Sequence, residues 1–278
     1  MGSATHSETN RTRRDWRMSA VLLLILAGML FPLAWMVVGS VSPHFDARWF
    51  NPFTSNPKWS NYTDLFSSMP FGVYLWNSAL VAVFVTVGNV LLCFPVGYAL
   101  ARRRFWGRGF LHWSAVIVLM VPPYVLIVPM FALIHQLGWY DTLWAITVPA
   151  LVHPLGVLLV KSAVSGVPIE LEEAARLDGA GPWRIVYRIV MPLCRPTLAV
   201  LAVQVFWLTW NSFLFPFILT GDKARTLPVA LAMFRGYQGV DRPHLFAAAT
   251  LATIPVIIVF LFFQRQIIAG LTAGAVKR

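Results

Sequence analysis

The side chains able to do chemistry in this sequence gather in one place. Residues 172–192, EEAARLDGAGPWRIVYRIVMP, run from an acidic start through Gly179 and Gly181 to a basic amphipathic finish, inside a chain that is otherwise apolar. Elsewhere the reactive types are scattered. Cys93 lies within an apolar run and Cys194 at a loop end, so a disulfide between them is not expected, and no zinc-binding spacing exists. The six histidines show no ligand spacing either. No G-x-x-x-x-G-K-[ST] occurs, nor any Gly-Lys pair, so the chain lacks a phosphate-cradling loop of that kind. The expectation is no catalytic residue and no metal site. What residues 172–192 offer is a shaped, charged surface for docking.

Local signals divide that stretch in two. Pro168 suits a first helical turn, Glu170, Glu172 and Glu173 sit where the helix dipole favours anions, and Gly179 is placed to end the helix in the left-handed conformation. Leu171, Ala174, Ala175 and Asp178 fall on one face by their spacing, and the paired alanines would let a partner come close. Pro182 opens a second helix, with Trp183, Val186, Tyr187 and Val190 as an apolar stripe, Arg184 and Arg188 on another face, and Pro192 as its end. The expected unit is a helix-turn-helix that works as a rigid lever against a soluble partner. The pattern alone also fits a pair of helices lying on anionic lipid.

A lever must be held, and the elements around it read as membrane spans. Hydrophobic residues make up 58% of the 278 and charged ones 12%, with a mean hydropathy of +0.68; a soluble core cannot hide that much apolar surface. Six runs free of Asp, Glu, Lys and Arg approach or exceed the roughly 20 residues that cross about 30 Å of hydrocarbon: 18–41, 77–101, 111–140, 142–160, 196–221 and 243–264. Pro122, Pro123 and Pro129 mark the third as kinked or partly re-entrant, and only Asp141 separates it from the fourth. The expected fold is all-α and polytopic, with six transmembrane helices: a tail at 1–17, a transmembrane domain at 18–268 carrying the lever loop 161–195, and a tail at 269–278. The run from Met18 is longer than a signal core and ends on no Ala-x-Ala site, so Arg13-Arg14 reads as the flank of a retained anchor.

Most of the 22 Lys and Arg fall in alternate segments: Arg11, Arg13, Arg14 and Arg17; Arg102, Arg103, Arg104 and Arg108; Lys161, Arg176, Arg184, Arg188 and Arg195; Arg265, Lys277 and Arg278. Basic residues near spans stay cytoplasmic, which puts both termini and the 172–192 loop on that side. The net charge of +11 is thereby topology, and no soluble basic face is left to bind nucleic acid. Spans without ionisable groups argue against coupling to protons or sodium, so the driving energy is expected from another chain.

Glu173-Ala174-Ala175, then Gly179, then Ile189-Val190-Met191-Pro192, resembles the EAA loop of bacterial ABC importer permeases, with Met191 where the pattern usually has Leu. Trp210-Asn211-Ser212-Phe213-Leu214-Phe215-Pro216, Gln264-Arg265 and residues 270–277 resemble the carbohydrate branch, similar to the second membrane subunit of the maltose importer, so the likeness covers almost the whole chain. The resemblance implies a multi-pass subunit of the bacterial cytoplasmic membrane that forms half of the translocation path for a sugar or sugar-like solute. It implies a second homologous permease, two ATP-binding subunits that hold ATP and Mg, and an external solute-binding protein; this chain is then neither an ATPase nor the holder of a cofactor. Glu173, Ala174, Ala175, Asp178 and Gly179 inherit the coupling role, and the tail from Gly270 reaches into the ATPase dimer interface. An importer for a different solute class would share the same loop, and an ion-coupled carrier or membrane enzyme is the rival of a different kind.

Two further sets of candidates follow. Sugars are held by aromatic faces and amides, which selects Gln204, Trp207, Trp210 and Asn211 for the path, although aromatic residues in spans also serve as packing and interface anchors. The external loop 222–242 carries Lys223, Arg225, Arg235 and Arg242 against Asp222 and Asp241, and joins a helix-like piece at 227–234 to a tip with Tyr237 and Gln238. In the family that loop probes the binding protein, so these two residues are the candidate contacts with it; an ordinary solvated connector is the alternative.

Overall fold

A computed structural model describes residues 5–43, 56–236 and 239–275. In chain order its helices are α1 (Thr5–Ser40), α2 (Ser60–Ser68), α3 (Phe71–Arg102), α4 (Arg108–Met120), α5 (Ile127–Gln136), α6 (Leu143–Thr147), α7 (Pro154–Ser165), α8 (Glu170–Leu177), α9 (Pro182–Arg184), α10 (Met191–Leu193), α11 (Arg195–Trp210), α12 (Leu214–Leu219), α13 (Leu227–Ala232) and α14 (Arg242–Ala275). A 3-10 turn, Pro123–Leu126, leads into α5; another, Val148–Ala150, follows α6; and π-helical Ile185–Val190 joins α9 to α10. Strand β1 (Arg235–Gly236) pairs antiparallel with β2 (Gly239–Val240), in the only sheet among the described residues.

Contacts gather the chain into two compact units, Met1–Met69 with Phe234–Leu251, and Pro70–Met233 with Ala252–Arg278. In the first, the Asn61 amide on α2 donates to the carbonyls of Ser40 and Ser42 at 2.9 and 3.0 Å, which holds α2 against the end of α1. Nothing in the most apolar window of the Met18–Ser40 span is buried, and that window is apolar on every side.

In the second unit α3 is the centre. It packs along α7 and α11, with Val85, Phe94, Leu100, Val160, Val164, Val190 and Leu201 buried between them. The helices approach so closely at Gly97 that a Cβ there would lie 2.7 Å from Val160 and 2.9 Å from the Lys161 backbone nitrogen.

Among the described residues four helical stretches are long and apolar enough to cross a membrane: Met18–Ser40, Phe71–Arg102, Leu143–Ser165 and Arg242–Arg265. Two bent pairs, Arg108–Met120 with Pro123–Gln136 at 98° and Pro182–Leu193 with Arg195–Trp210 at 79°, bring the number to six if each is one span. Pro122-Pro123 explains the first bend: proline donates no N–H and pushes the residue before it out of the helical region, and Val121 is extended at φ −78, ψ 121. The third apolar run is broken there, as its prolines predict.

Several expected boundaries move. The fourth span extends to Ser165 and is interrupted ahead of Pro154, so the 161–195 loop begins inside α7. The fifth was expected over 196–221, yet helix α11 stops at Trp210 and α12 is a separate six-residue piece. Pro192 does not close the second helix of the 172–192 stretch: it opens α10, and the turn comes at Cys194 before Pro196. The last helix does not stop at the glycines either, because α14 is helical through Ala275. The piece expected at 227–234 is α13, ending at Ala232.

Candidate functional site

Helix α8 begins at Glu170 with Glu170, Glu172 and Glu173 in its first turn, and ends in a Schellman-type turn. Gly179 sits at φ +79, its N–H donates to Arg176 O at 3.0 Å, and the Ala180 N–H reaches Ala175 O at 2.9 Å. Few residues other than glycine adopt that backbone without strain.

Its buried edge is a surprise. Leu171, Ala174, Ala175 and Asp178 do not share one environment: Ala175 is buried in the core, while Leu171, Ala174 and Asp178 are exposed. The inward side runs instead through Ala175 and Glu172, and Glu172 is fully buried. A buried carboxylate must be paired, and this one is. Tyr98 Oη donates to it at 2.8 Å, Arg102 Nε at 2.8 Å, and Arg176 Nη2 at 3.4 Å. Arg102 also donates through Nη2 to the Val167 carbonyl, so one guanidinium ties the end of α3 both to α8 and to the chain that enters it. Glu173, the acid of the EAA pattern, is exposed beside this footing.

Leu177 ends the outward side of α8 and is 90% exposed, next to Leu171, Ala174 and Asp178. In the second helix Val186 and Val190 are buried, but Trp183 is 72% exposed with its ring stacked on Tyr187 at 5.9 Å, so the expected stripe is divided between core and surface. What this region offers chemically is a small patch of exposed short apolar side chains on a helix with a fixed base.

The opposite end of α3 is fastened to the chain after α12. The Asn77 amide donates to Lys223 O and Arg225 O, both at 3.0 Å, Ser78 Oγ accepts the Leu227 N–H at 2.7 Å, and the Arg225 guanidinium lies over the Tyr74 ring. Asp141, itself at φ +56, accepts the N–H groups of Gly221 at 2.8 Å, Ala224 at 3.0 Å and Lys223 at 3.3 Å. Partial burial disfavours its charge, but these three backbone donors and the Lys223 ammonium outweigh that and hold its carboxyl below the usual range.

The path candidates separate. Gln204 and Trp207 line a cavity of about 340 Å³ between α11 and α14, together with Val200, Val203, Phe206, Val256, Val259 and Phe260. Trp210 is buried, stacks on Phe206, and donates its indole N–H to Ala252 O at 3.1 Å. Asn211 is exposed and returns its amide to Trp207 O at 2.8 Å, closing the end of α11. Tyr237 and Gln238 lie outside the described residues, and His, Cys, Asp and Glu form no cluster able to hold a metal among those that are described.

A helical chain with several apolar spans and a short amphipathic helix footed on a buried ion pair has the build of a multi-pass membrane protein. Residues 93–272 match the family described as binding-protein-dependent transport system inner membrane component, and the chain belongs to that family. It is therefore a permease subunit of an ABC transporter. Its relatives include the arabinooligosaccharides transport system permease protein AraQ of Halalkalibacterium halodurans, 33% identical over 95% of this chain and 96% of that one. Another is the trehalose/maltose transport system permease protein MalG of Thermococcus litoralis, 35% identical over 93% and 94%. Among solved structures, a bacterial ABC transporter that imports the acidic polysaccharide alginate shares the fold at a TM-score of 0.78 and 21% identity, covering 91% of this chain and 96% of that one. The methionine transporter MetNI aligns at a TM-score of 0.56 over 71% and 94%.

Proposed function

We propose that this chain is one of two permease subunits that enclose the path of an ATP-driven importer for a sugar or oligosaccharide, and that it is not itself catalytic. The observation that carries the reading is α8: an exposed face of Leu171, Ala174, Leu177 and Asp178, bordered by Glu173 and set by the Gly179 turn on a fully buried Glu172. That face docks into a separate ATP-binding subunit on the cytoplasmic side, where both termini also lie. ATP and Mg are held there, by the partner. Closure of the ATPase pair moves α8, and the spans turn their cavity from one side of the membrane to the other. The sugar class rests on the oligosaccharide and disaccharide permeases among the relatives. Trp207 gives this subunit an aromatic face toward the solute in a cavity that Gln204 also lines but whose walls are almost wholly apolar, so most of the hydroxyl partners belong to the second permease.

The test is purification of the assembled complex with its binding protein, identification of the co-purified solute by mass spectrometry, and measurement of ATP hydrolysis with and without that loaded protein. A saccharide together with stimulated hydrolysis is expected; an amino acid or other non-sugar would move the chain to a different solute class, and transport by this chain without ATP would overturn the reading. Replacing Tyr237 and Gln238 together with Ala is expected to weaken stimulation by the loaded binding protein and to leave unstimulated hydrolysis intact.

A further inference from the structure

Helix α3 carries polar clasps at three levels, and each one reaches a break or a loop in another part of the same unit. At its C-terminal end Tyr98 and Arg102 hold Glu172 on α8. Midway, buried Asn89 donates to Ala150 O at 2.8 Å and accepts the His153 N–H at 2.9 Å, bridging the interruption before α7. At its N-terminal end Asn77 and Ser78 hold the backbone of residues 223–227. The clasps at the two ends are about 30 Å apart along the axis at 1.5 Å per residue. Pro95 removes one backbone donor between them, but the next turn is wedged against α7 at Gly97, where the helices approach too closely for a side chain, so the rod is braced where it is weakest.

We infer that α3 is the element that joins the two faces of the transporter, with Arg102 and Tyr98 at one end and Asn77 and Ser78 at the other acting as positioning residues that set how strongly ATP hydrolysis answers a loaded binding protein. This rests on the assignment of α8 as the helix that docks into the ATPase. An apolar helix needs none of these polar side chains to stay in a bilayer, and each buried one requires a partner wherever it is placed. All of them are satisfied by groups at the two surfaces or at the break, which is where a transmitted displacement has to be taken up. Coupling between distant sites of this kind has a measurable signature: breaking one rod at either end, or at both, has the same consequence.

The experiment uses the complete complex with its ATP-binding subunits, partner permease and binding protein, and reads the ratio of stimulated to unstimulated ATP hydrolysis. Tyr98→Phe and Asn77→Ala are each expected to lower that ratio about fivefold, a typical allosteric coupling, while unstimulated hydrolysis and co-purification of the subunits stay at the wild-type level. The double variant is expected to fall no further than the worse single one. Arg102→Lys, which keeps the charge beside Glu172, is expected to retain more stimulation than Arg102→Gln. If Asn77→Ala does not assemble, Ser78→Ala takes its place in the cycle. Losses that multiply in the double variant, or an undiminished ratio in both single variants, overturn the inference while the transport function stands. A wild-type complex that shows no stimulation overturns both the docking assignment and the inference built on it.

Discussion

The two loops attached to opposite ends of α3 are fastened by different chemistry. At the α8 end the fastening is a buried charge, Glu172, shared by Tyr98, Arg102 and Arg176. At the 223–227 end it is a neutral amide and a hydroxyl directed at backbone, with the Asp141 carboxylate collecting three N–H groups beside them. A buried ion pair adds little net stability over an apolar substitute, yet it tolerates almost no loss of one partner and fixes one orientation. Backbone-directed hydrogen bonds are individually weaker, so losing one loosens such a loop without leaving a buried charge behind. The comparison indicates that the position of α8 is specified more strictly than that of the opposite loop.

Removing one side of each fastening is the direct way to break this comparison. Glu172→Ala leaves Arg102 nearly buried without a counter-charge, and a loss of about 3–5 kcal/mol is expected, read as a lowered thermal midpoint of the purified complex. Asn77→Ala strands two carbonyls and is expected to cost about 1–3 kcal/mol in the same measurement. A larger effect for Asn77 than for Glu172 would invert the ranking. Gly179→Val forces a β-branched residue into the left-handed region at about 1–3 kcal/mol, and because it tilts the exit of α8, transport should fall more than stability does. Asp141 gives a smaller effect with a defined pH sign. Its carboxyl is held below the usual range, so its contribution is fully present above the ordinary carboxylate value and is lost only as pH falls through the lowered one. Limited proteolysis of residues 221–225 should therefore be unchanged from neutral pH down to the ordinary carboxylate range, and Asp141→Asn should raise it throughout. Glu173→Lys sharpens the contrast from the other side: its side chain is exposed, stability should move by no more than about 0.5 kcal/mol, and ATPase coupling should drop.

The sequence makes some of these features readable and conceals others for a physical reason. Apolar runs free of charge announce the spans, prolines at 122 and 123 announce the 98° bend, and Gly179 announces its turn, because each is a local property of a few residues. Glu172 is different. Three acids stand in the first turn of α8, and which of them is buried depends on Tyr98 and Arg102, 74 and 70 positions earlier in the chain. The periodicity of α8 places Leu171, Ala174, Ala175 and Asp178 together, but tertiary packing selects an edge about one residue round, through Glu172 and Ala175. The end of α11 is masked by the absence of charge: residues 196–221 carry no Asp, Glu, Lys or Arg, and the polar Asn211-Ser212 pair that stands at the break is too short to interrupt an apolar run of that length. Trp210 and Asn211 looked alike as sugar-binding types, yet one is bound to the Ala252 carbonyl and the other caps its own helix.

The broken helices have a consequence for hydration. At Val121–Pro122, and again between Trp210 and Leu214, the regular ladder of backbone bonds stops, leaving peptide groups whose partners are not supplied by the helix itself. Hydrocarbon offers such groups nothing, so wherever these breaks lie at membrane depth they must face either protein or water. The breaks thereby mark, by main chain alone, the places in these uncharged runs where the permease must meet protein or water and cannot meet lipid.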